Sequence, residues 1–275
     1  MRRLKNKRLS LLTILIFLVL FGSAAAGESW VITDKGGKVW NNHPQPYEKV
    51  TWSGGMDAGG YAAGQGTLQW FREGEIVDRY EGNLVGGLAA GRGKYFWGNG
   101  NRYEGGYVDG VKEGKGIFTW SNGDRFEGVY VGDKRNGRGI LTLINGNRYE
   151  GEYVNDKQTG KGVYTWAGGD RYEGAYINDE RNGKGSYIWA VGNRYEGDWV
   201  DNKQHGRGTF IWANGERYDG DFVENQRTGR GIYRWPDGRR YVGGFVDGQL
   251  EGFGTFTSID GTVKRGLWAN NQFQG

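Results

Sequence analysis

The chain repeats itself every 23 residues, and this period constrains its fold more than any other feature. Each unit opens on an aromatic residue that an acid and a glycine usually follow; these aromatic residues are Tyr80, Tyr103, Phe126, Tyr149, Tyr172, Tyr195, Tyr218 and Tyr241. A Gly-basic-Gly triplet then follows, centred on Arg92, Lys115, Arg138, Lys161, Lys184, Arg207 and Arg230. A fixed period of about 20 to 50 residues indicates a solenoid or an array rather than a globular domain.

The turn that ends each unit sets the register of the strands. Most units place Asn-Gly or Asp-Gly there, which is a strong hairpin signal. A two-residue loop would mix aromatic and charged side chains on one face. A three-residue loop with Gly123 in the left-handed region instead pairs Trp120 with Asp124 and Phe118 with Phe126. Val191, at the asparagine position of one unit, resists the positive φ that the shorter loop needs. We therefore predict the three-residue loop.

This register predicts an all-β fold, an elongated single-layer antiparallel β-hairpin solenoid with an aromatic side and a charged side. The 54 glycines and the 15% of aromatic residues suit short strands and tight turns better than helices. Glycines on the aromatic side would leave room for rings to lie flat against the backbone. At ~4.8 Å per strand, ten units would form a rod roughly 90–100 Å long before twist.

The N-terminal segment 1–26 has the order of a secretory signal peptide: basic residues, an apolar run from Leu11 to Phe21, then small residues ending at Ala26. The alternative is an uncleaved membrane anchor. Removing its five basic residues takes the net charge from +4 to −1, so the pI gives no support for a nucleic-acid partner. We expect an exported protein, periplasmic or extracellular.

The rest of the chain divides by its fit to the repeat. Residues 27–50 do not fit; two short strands around Gly36-Gly37 are predicted to cap the array, because solenoid ends need protection. Residues 51–79 read as an irregular first unit, in which Trp52 and Gly64-Gln65-Gly66 replace the usual motifs. Residues 80–275 are the regular array with a C-terminal cap.

One unit, Tyr-Glu-Gly-x-(Tyr/Trp)-x, then Gly-(Lys/Arg)-Gly, then an aromatic pair and Gly, resembles the MORN repeat. The resemblance covers 80–273 and, weakly, 51–79. It implies an elongated β array, often curled into a groove and often self-associating. Family members serve as scaffolds, as membrane-junction proteins or as modules attached to enzymes such as lipid kinases. This chain departs in its signal peptide and in having no second domain large enough for an enzyme, so we expect a stand-alone array.

Catalysis finds little support in the sequence. The two histidines, His43 and His205, are not tied to a nucleophile or a metal cluster, and there is no cysteine. The acids after each opening aromatic residue repeat identically, whereas a catalytic pair needs different environments to hold different pKa values. We predict a protein without enzymatic activity, cofactor or metal.

The Gly-basic-Gly cations form the first candidate binding surface, the basic stripe: Arg92, Lys115, Arg138, Lys161, Lys184, Arg207 and Arg230. At roughly 10 Å per step they could meet phospholipid headgroups or an anionic envelope polymer. More loop cations lie nearby: Lys134, Arg135, Lys157, Arg181, Lys203 and Arg227. Acids in the same loops, such as Asp133 and Asp156, count against specific anion binding.

The aromatic side is the second candidate surface: Tyr107, Trp120, Tyr130, Tyr153, Trp166, Tyr176, Trp189, Trp199, Trp212 and Trp235. Its simplest role is the hydrophobic layer of the array itself, but a single-layer sheet leaves one side for a protein partner or a second copy. The leading hypothesis is a non-catalytic exported scaffold for protein–protein interaction. A homodimer would form if this open side paired with the same side of a second copy. The alternatives are binding of lipid or anionic polymer through the basic stripe, a cage array for quaternary amines, and a glycan hydrolase.

Overall fold

The computed structural model describes residues 29–41 and 49–275, and every regular element among them is a β-strand. The strands are β1 (Ser29–Ile32), β2 (Lys38–Asn41), β3 (Lys49–Trp52), β4 (Gly55–Met56), β5 (Ala62–Arg72), β6 (Glu75–Val85), β7 (Leu88–Phe96), β8 (Arg102–Val108), β9 (Val111–Thr119), β10 (Arg125–Val131), β11 (Lys134–Thr142), β12 (Arg148–Val154), β13 (Lys157–Thr165), β14 (Arg171–Ile177), β15 (Glu180–Ile188), β16 (Arg194–Val200), β17 (Lys203–Ile211), β18 (Arg217–Val223), β19 (Gln226–Arg234), β20 (Arg240–Val246), β21 (Gln249–Thr257), β22 (Val263–Ala269) and β23 (Gln272–Phe273).

The strands of the array join in chain order into one antiparallel sheet. From β5 to β23 each strand pairs with its neighbours along the chain, and β3 and β4 both pair with β5. Strands β1 and β2 form a separate hairpin. The predicted all-β solenoid of 23-residue units is confirmed.

The turn between units has the predicted three-residue form. Phe126 is the partner of Phe118. The Trp120 amide donates to the Asp124 carbonyl at 2.9 Å, and Gly123 has φ 95°. The register prediction is therefore confirmed, and it separates an aromatic face from a polar face.

The core of the array is a row of rings, each lying on two glycines. Tyr149 is 1% exposed and covers Gly151 and Gly162, which are partners on adjacent strands. A Cβ on Gly162 would lie 2.5 Å from the Tyr149 Oη, so no other residue fits beneath the ring. The ring meets Tyr153 edge-to-face at 5.4 Å and Tyr176 at 5.2 Å. This edge-to-face geometry, which aromatic pairs prefer, links each unit to the next.

The irregular first unit packs in the same way. Trp52 is buried and lies over Gly54 and Gly66, as the later tyrosines lie over their glycine pairs. Its indole N–H donates to the Gly55 carbonyl at 2.9 Å. The extra residues of this unit lengthen β5 and β6 to 11 residues each.

The β1–β2 hairpin lies against this end of the sheet. The Trp40 amide donates to the Gly87 carbonyl and the Lys38 amide to the Gly60 carbonyl, both at 3.0 Å. The two predicted short strands are thus confirmed. The predicted signal peptide, 1–26, and residues 27–28 and 42–48 of the predicted cap lie outside the described residues. Within the described part of the chain, no helix is long and apolar enough to cross a membrane.

Asn and Asp side chains link neighbouring units at both ends of the strands. We call these ends the loop edge, where the two strands of one unit are joined, and the turn edge, where one unit is joined to the next. On the loop edge, the Asp156 Oδ1 accepts from the Arg135 amide of the preceding unit at 3.0 Å, and Asn202 accepts from Arg181 at 2.9 Å. On the turn edge, the Asn147 Oδ1 accepts from the Ala167 amide of the following unit at 2.9 Å. These side chains accept hydrogen bonds from backbone amides that are not paired between the strands.

The loop-edge residues also adopt positive φ, 71° at Asp156 and 68° at Asn202, which Asn and Asp tolerate better than other non-glycine residues. We expect Asp156→Ala to lower the free energy of unfolding by about 2 kcal/mol, because it removes the acceptor of the Arg135 amide and strains the backbone. Asp156→Asn should cost far less, since Asn202 fills the same role. Urea denaturation of the two variants checks this, and equal losses would contradict it.

Candidate functional site

The polar face is covered by ion pairs within and between strands. Six of the eight arginines that end a unit pair with the acid two residues later, as Arg148 does with Glu150 at 2.7 Å and Arg171 with Glu173 at 2.6 Å. These side chains are about half exposed, so each pair contributes at most about 1 kcal/mol. The predicted placement of arginine and acid on one face is confirmed, and the pairs neutralise most of the repeated carboxylates.

The basic stripe lies on this polar face, and its cations differ in whether they are paired with an acid. Lys184 and Arg207 pair with Asp198 and Asp221 of the adjacent strand at 2.6 and 3.1 Å. Arg138 reaches Glu150 only at 3.8 Å. By contrast, the cross-strand partner of Arg92 is Gly106 and that of Lys115 is Val129. The stripe therefore contains cations that face an acid on the adjacent strand, Arg138, Lys184 and Arg207, and cations that face an uncharged residue there, Arg92, Lys115, Lys161 and Arg230.

Two shallow grooves follow the stripe. Arg92, Lys115 and Arg138 line one of about 440 Å³. Lys184, Arg207 and Arg230 line another of about 870 Å³. Lys161, opposite Ala175, lies between them in sequence. Glycines line both grooves together with acids, Glu104, Glu127 and Glu150 in the first and Glu196 and Asp219 in the second, so a ligand there would meet carboxylates as well as cations.

The structure splits the second candidate surface, the aromatic set, into two groups. Five members are buried in the core: Tyr107, Tyr130, Tyr153, Tyr176 and Trp199. Five others are half-buried and pack on that core from the turn edge: Trp120, Trp166, Trp189, Trp212 and Trp235. Only the second group offers ring surface to a partner.

The sequence predicts that all the loop cations lie near the basic stripe. The structure shows that some of them lie on the opposite, aromatic face. Arg135 is the partner of Tyr130, so its side chain lies on the aromatic face, 5.0 Å from the Tyr153 ring centre. Arg181 lies 4.6 Å from the Trp199 ring centre. A β-bulge after the third residue of each unit shifts the alternation of side chains. These inward cations pack against the rings and bond to the loop of the next unit, Arg135 to Asp156 and Arg181 to the Asn202 carbonyl, so they are not part of the basic stripe.

The buried tyrosines make the fold sensitive to alkali. Burial raises the pKa of Tyr80, Tyr172 and Tyr218 to about 12, with opposing hydrogen bonds or nearby arginines lowering it less. The pKa of these hydroxyls is higher in the folded chain than its value of 10 in the unfolded chain. Their contribution to stability is therefore fully present below pH 10 and is lost as pH rises from 10 to 12. We expect tyrosinate absorbance to rise in one steep step together with unfolding. A gradual titration near pH 10 with the sheet intact would contradict this.

The described residues provide no cluster of His, Cys, Asp and Glu suited to a metal ion. His205 lies in β17 opposite Asp198 of the adjacent strand β16, and His43 lies outside the described residues. At Asp219, burial raises the carboxyl pKa, but hydrogen bonds from Arg217 and Thr209 outweigh it and lower the pKa to about 2. An acid held ionised in this way is suited to an ion pair and not to proton transfer at neutral pH.

One surface feature was missed by the sequence reasoning. A row of β-branched residues runs along the loop edge of the polar face, each 40–61% exposed; we name it the aliphatic row: Val85, Val108, Val131, Val154, Ile177, Val200, Val223 and Val246. The sixth position of every unit carries this signal in the sequence. Lys134, Lys157 and Lys203 lie directly opposite three of its members.

Comparison with known families agrees with this architecture. The model for the MORN repeat matches eight consecutive segments: 80–102, 103–125, 126–148, 149–171, 172–194, 195–217, 218–239 and 241–263. These segments span most of the chain, and they coincide with the hairpin units described above. The chain belongs to the MORN-repeat family.

Among curated proteins, none matches the chain significantly. Among solved structures, the wild-type TCP10 domain of Danio rerio CPAP is similar over 88% of this chain and 100% of that one, at 12% identity and TM-score 0.40. The TCP domain of Drosophila melanogaster SAS-4, solved with a proline-rich motif of Ana2, is similar over 56% and 84%, at 12% identity and TM-score 0.37. Family membership therefore rests on the matched repeats.

Proposed function

We propose that the chain is a non-catalytic scaffold that binds protein partners along its polar face. The observation that carries this proposal is the aliphatic row, whose eight members recur at roughly 10 Å per unit. Exposed apolar surface on a folded protein commonly marks an interaction site. The lysines opposite the row and the basic stripe beside it favour a partner segment that carries apolar and acidic side chains.

Substitution within the row tests the proposal. In Val131→Glu/Val154→Glu, two exposed positions become charged, so the fold should persist while partner binding is lost. Ile144→Glu is the matched control, because Ile144 is 73% exposed on the turn edge. A partner captured by the wild type and by the control, but not by the double variant, supports the proposal. Capture by all three overturns it.

Binding of an anionic membrane or polymer through the basic stripe is the second candidate function. It is favoured by Arg92 and Lys115, whose cross-strand partners carry no charge. The wild type should float with anionic phospholipid vesicles at low salt and dissociate at high salt, because exposed charges are screened within about 10 Å at 0.1 M. Arg92→Glu/Lys115→Glu should abolish flotation, while Lys184→Glu, at a site already paired, should weaken it less.

Export to the periplasm or the extracellular space, and self-association, belong to the same proposal. They are supported by the segment 1–26 and by the half-buried tryptophans on the turn edge. Protease protection in fractionated cells tests export. Light scattering of the exported form tests self-association, and a monomer at every concentration would remove it.

A further inference from the structure

The tenth residue of each unit lies on the aromatic face, between the rings. In four units this residue is a cation on that face: Lys112, Arg135, Arg181 and Arg227. Each lies among rings of its own unit and of a neighbouring unit. Arg181, for example, lies over Tyr172, Tyr187 and Trp199. A cation over several ring faces is attracted by their quadrupoles, most strongly when it is shielded from water.

Other units fill the same place with a different long side chain. Gln158, Gln204 and Leu250 occupy it, and Gln204 and Leu250 are buried. The first regular unit differs, because its tenth residue is Ala89. Ala89 is the partner of Leu84, as Lys112 is of Tyr107, so the two backbones are equivalent.

The rings around this position are nevertheless retained. Tyr80, Tyr95 and Tyr107 stand where Tyr103, Phe118 and Tyr130 surround Lys112, and Trp70 completes the cage. Tyr80 and Tyr107 meet edge-to-face at 5.5 Å. Because Ala89 ends at its β-carbon, the cage encloses a cavity of about 340 Å³.

We propose that this cavity is a binding site for an organic cation, a guanidinium or alkylammonium group on an aliphatic stem. The chain's own repeats place that chemistry in the equivalent cages. Leu68 and Leu84 line the cavity and would contact the stem. Lys112 and Asp133 also line the cavity, and their charges nearly cancel because they pair with each other at 3.4 Å. The group can come from a free small molecule or from a basic side chain of a partner.

The test is titration of the full chain with n-butylguanidinium, followed by tryptophan fluorescence and by NMR, with n-butylurea as the neutral isostere. We expect saturable binding of the cation with a dissociation constant on the order of 1 mM, and much weaker binding of the urea. Equal binding of the two compounds would overturn the cation assignment. No saturable binding of either would overturn the site.

Two cage variants and one control variant locate the site. Ala89→Arg should fill the cage from within and abolish binding, whereas Ala167→Arg, at an exposed turn position, should not. Arg135→Ala should open a second cage of the same kind and add a second binding event, which keeps the proposal testable should Ala89→Arg fail to fold. Unchanged binding in both cage variants would place the cation elsewhere and overturn the proposal.

A third arm separates the two sources of the cation. N-acetyl-arginine amide carries the same group on a peptide backbone. If it binds as well as n-butylguanidinium, the cavity accepts a side chain of a partner protein. If only the small cation binds, the site takes a free molecule.

Discussion

Replacing Gly162 with alanine is expected to destabilise the array by about 3 kcal/mol, the upper end of the cost of overpacking a core. The added Cβ would lie 2.5 Å from the Oη and 2.6 Å from the Cε2 of Tyr149. The ring cannot retreat easily, because it is packed edge-to-face against Tyr153 and Tyr176. The free energy of unfolding in urea, followed by circular dichroism, measures the effect.

Gly168→Ala is the matched control in the same unit. A Cβ at Gly168 would have no atom within 4 Å. Its substitution should therefore leave stability nearly unchanged. Comparable losses in the two variants would show that Gly162 is needed for its backbone freedom rather than for the ring above it.

Removing the ring should cost even more. For Tyr149→Ala we expect the free energy of unfolding to fall by about 4 kcal/mol, within the usual range for deleting a buried aromatic side chain. The ring is 1% exposed and contacts units on both sides. In a linear array each unit is stabilised by its neighbours, so hydrogen exchange should also accelerate in β12–β15 before the ends of the sheet are affected.

Tyr149→Phe separates the ring from its hydroxyl. Phe126 occupies the equivalent place in the preceding unit and is fully buried, so the ring alone suffices there. The hydroxyl of Tyr149 makes one long hydrogen bond, 3.3 Å to the Glu152 carbonyl. We expect Tyr149→Phe to lower the free energy of unfolding by about 1 kcal/mol or less. A loss as large as that of Tyr149→Ala would mean that the hydroxyl, and not the packing of the ring, holds the units together.

The period, the strand type and the register could be predicted because they depend on local chemistry that recurs in every unit. The separation of aromatic from charged side chains, supported by Val191, decided between two turn geometries, and the observed Phe118–Phe126 pairing agrees with that choice. The Trp52 unit was also recognisable, since a ring followed two residues later by glycine is enough to define the packing motif.

The placement of the loop cations could not be predicted in the same way. Strict alternation puts Lys134 and Arg135 on opposite faces but does not say which one points inward, because the β-bulge that follows Gly128 changes the count. The links between Asp156 and Arg135 span 21 residues and depend on the stacking of whole units. The cavity at Ala89 likewise appears only when neighbouring units are placed side by side.

Hydroxyl-radical footprinting with mass spectrometry tests most directly whether the rings form the core and the aliphatic row forms the surface. Tyr130 and Tyr153 are 3% and 1% exposed, whereas Val131 and Val154, the next residues in the chain, are 50% and 52% exposed. We predict that folding reduces the oxidation of the two half-exposed valines only modestly, and that it strongly protects the two tyrosines. Protected valines beside freely oxidised tyrosines would contradict the assignment of the faces and, with it, the proposed docking surface.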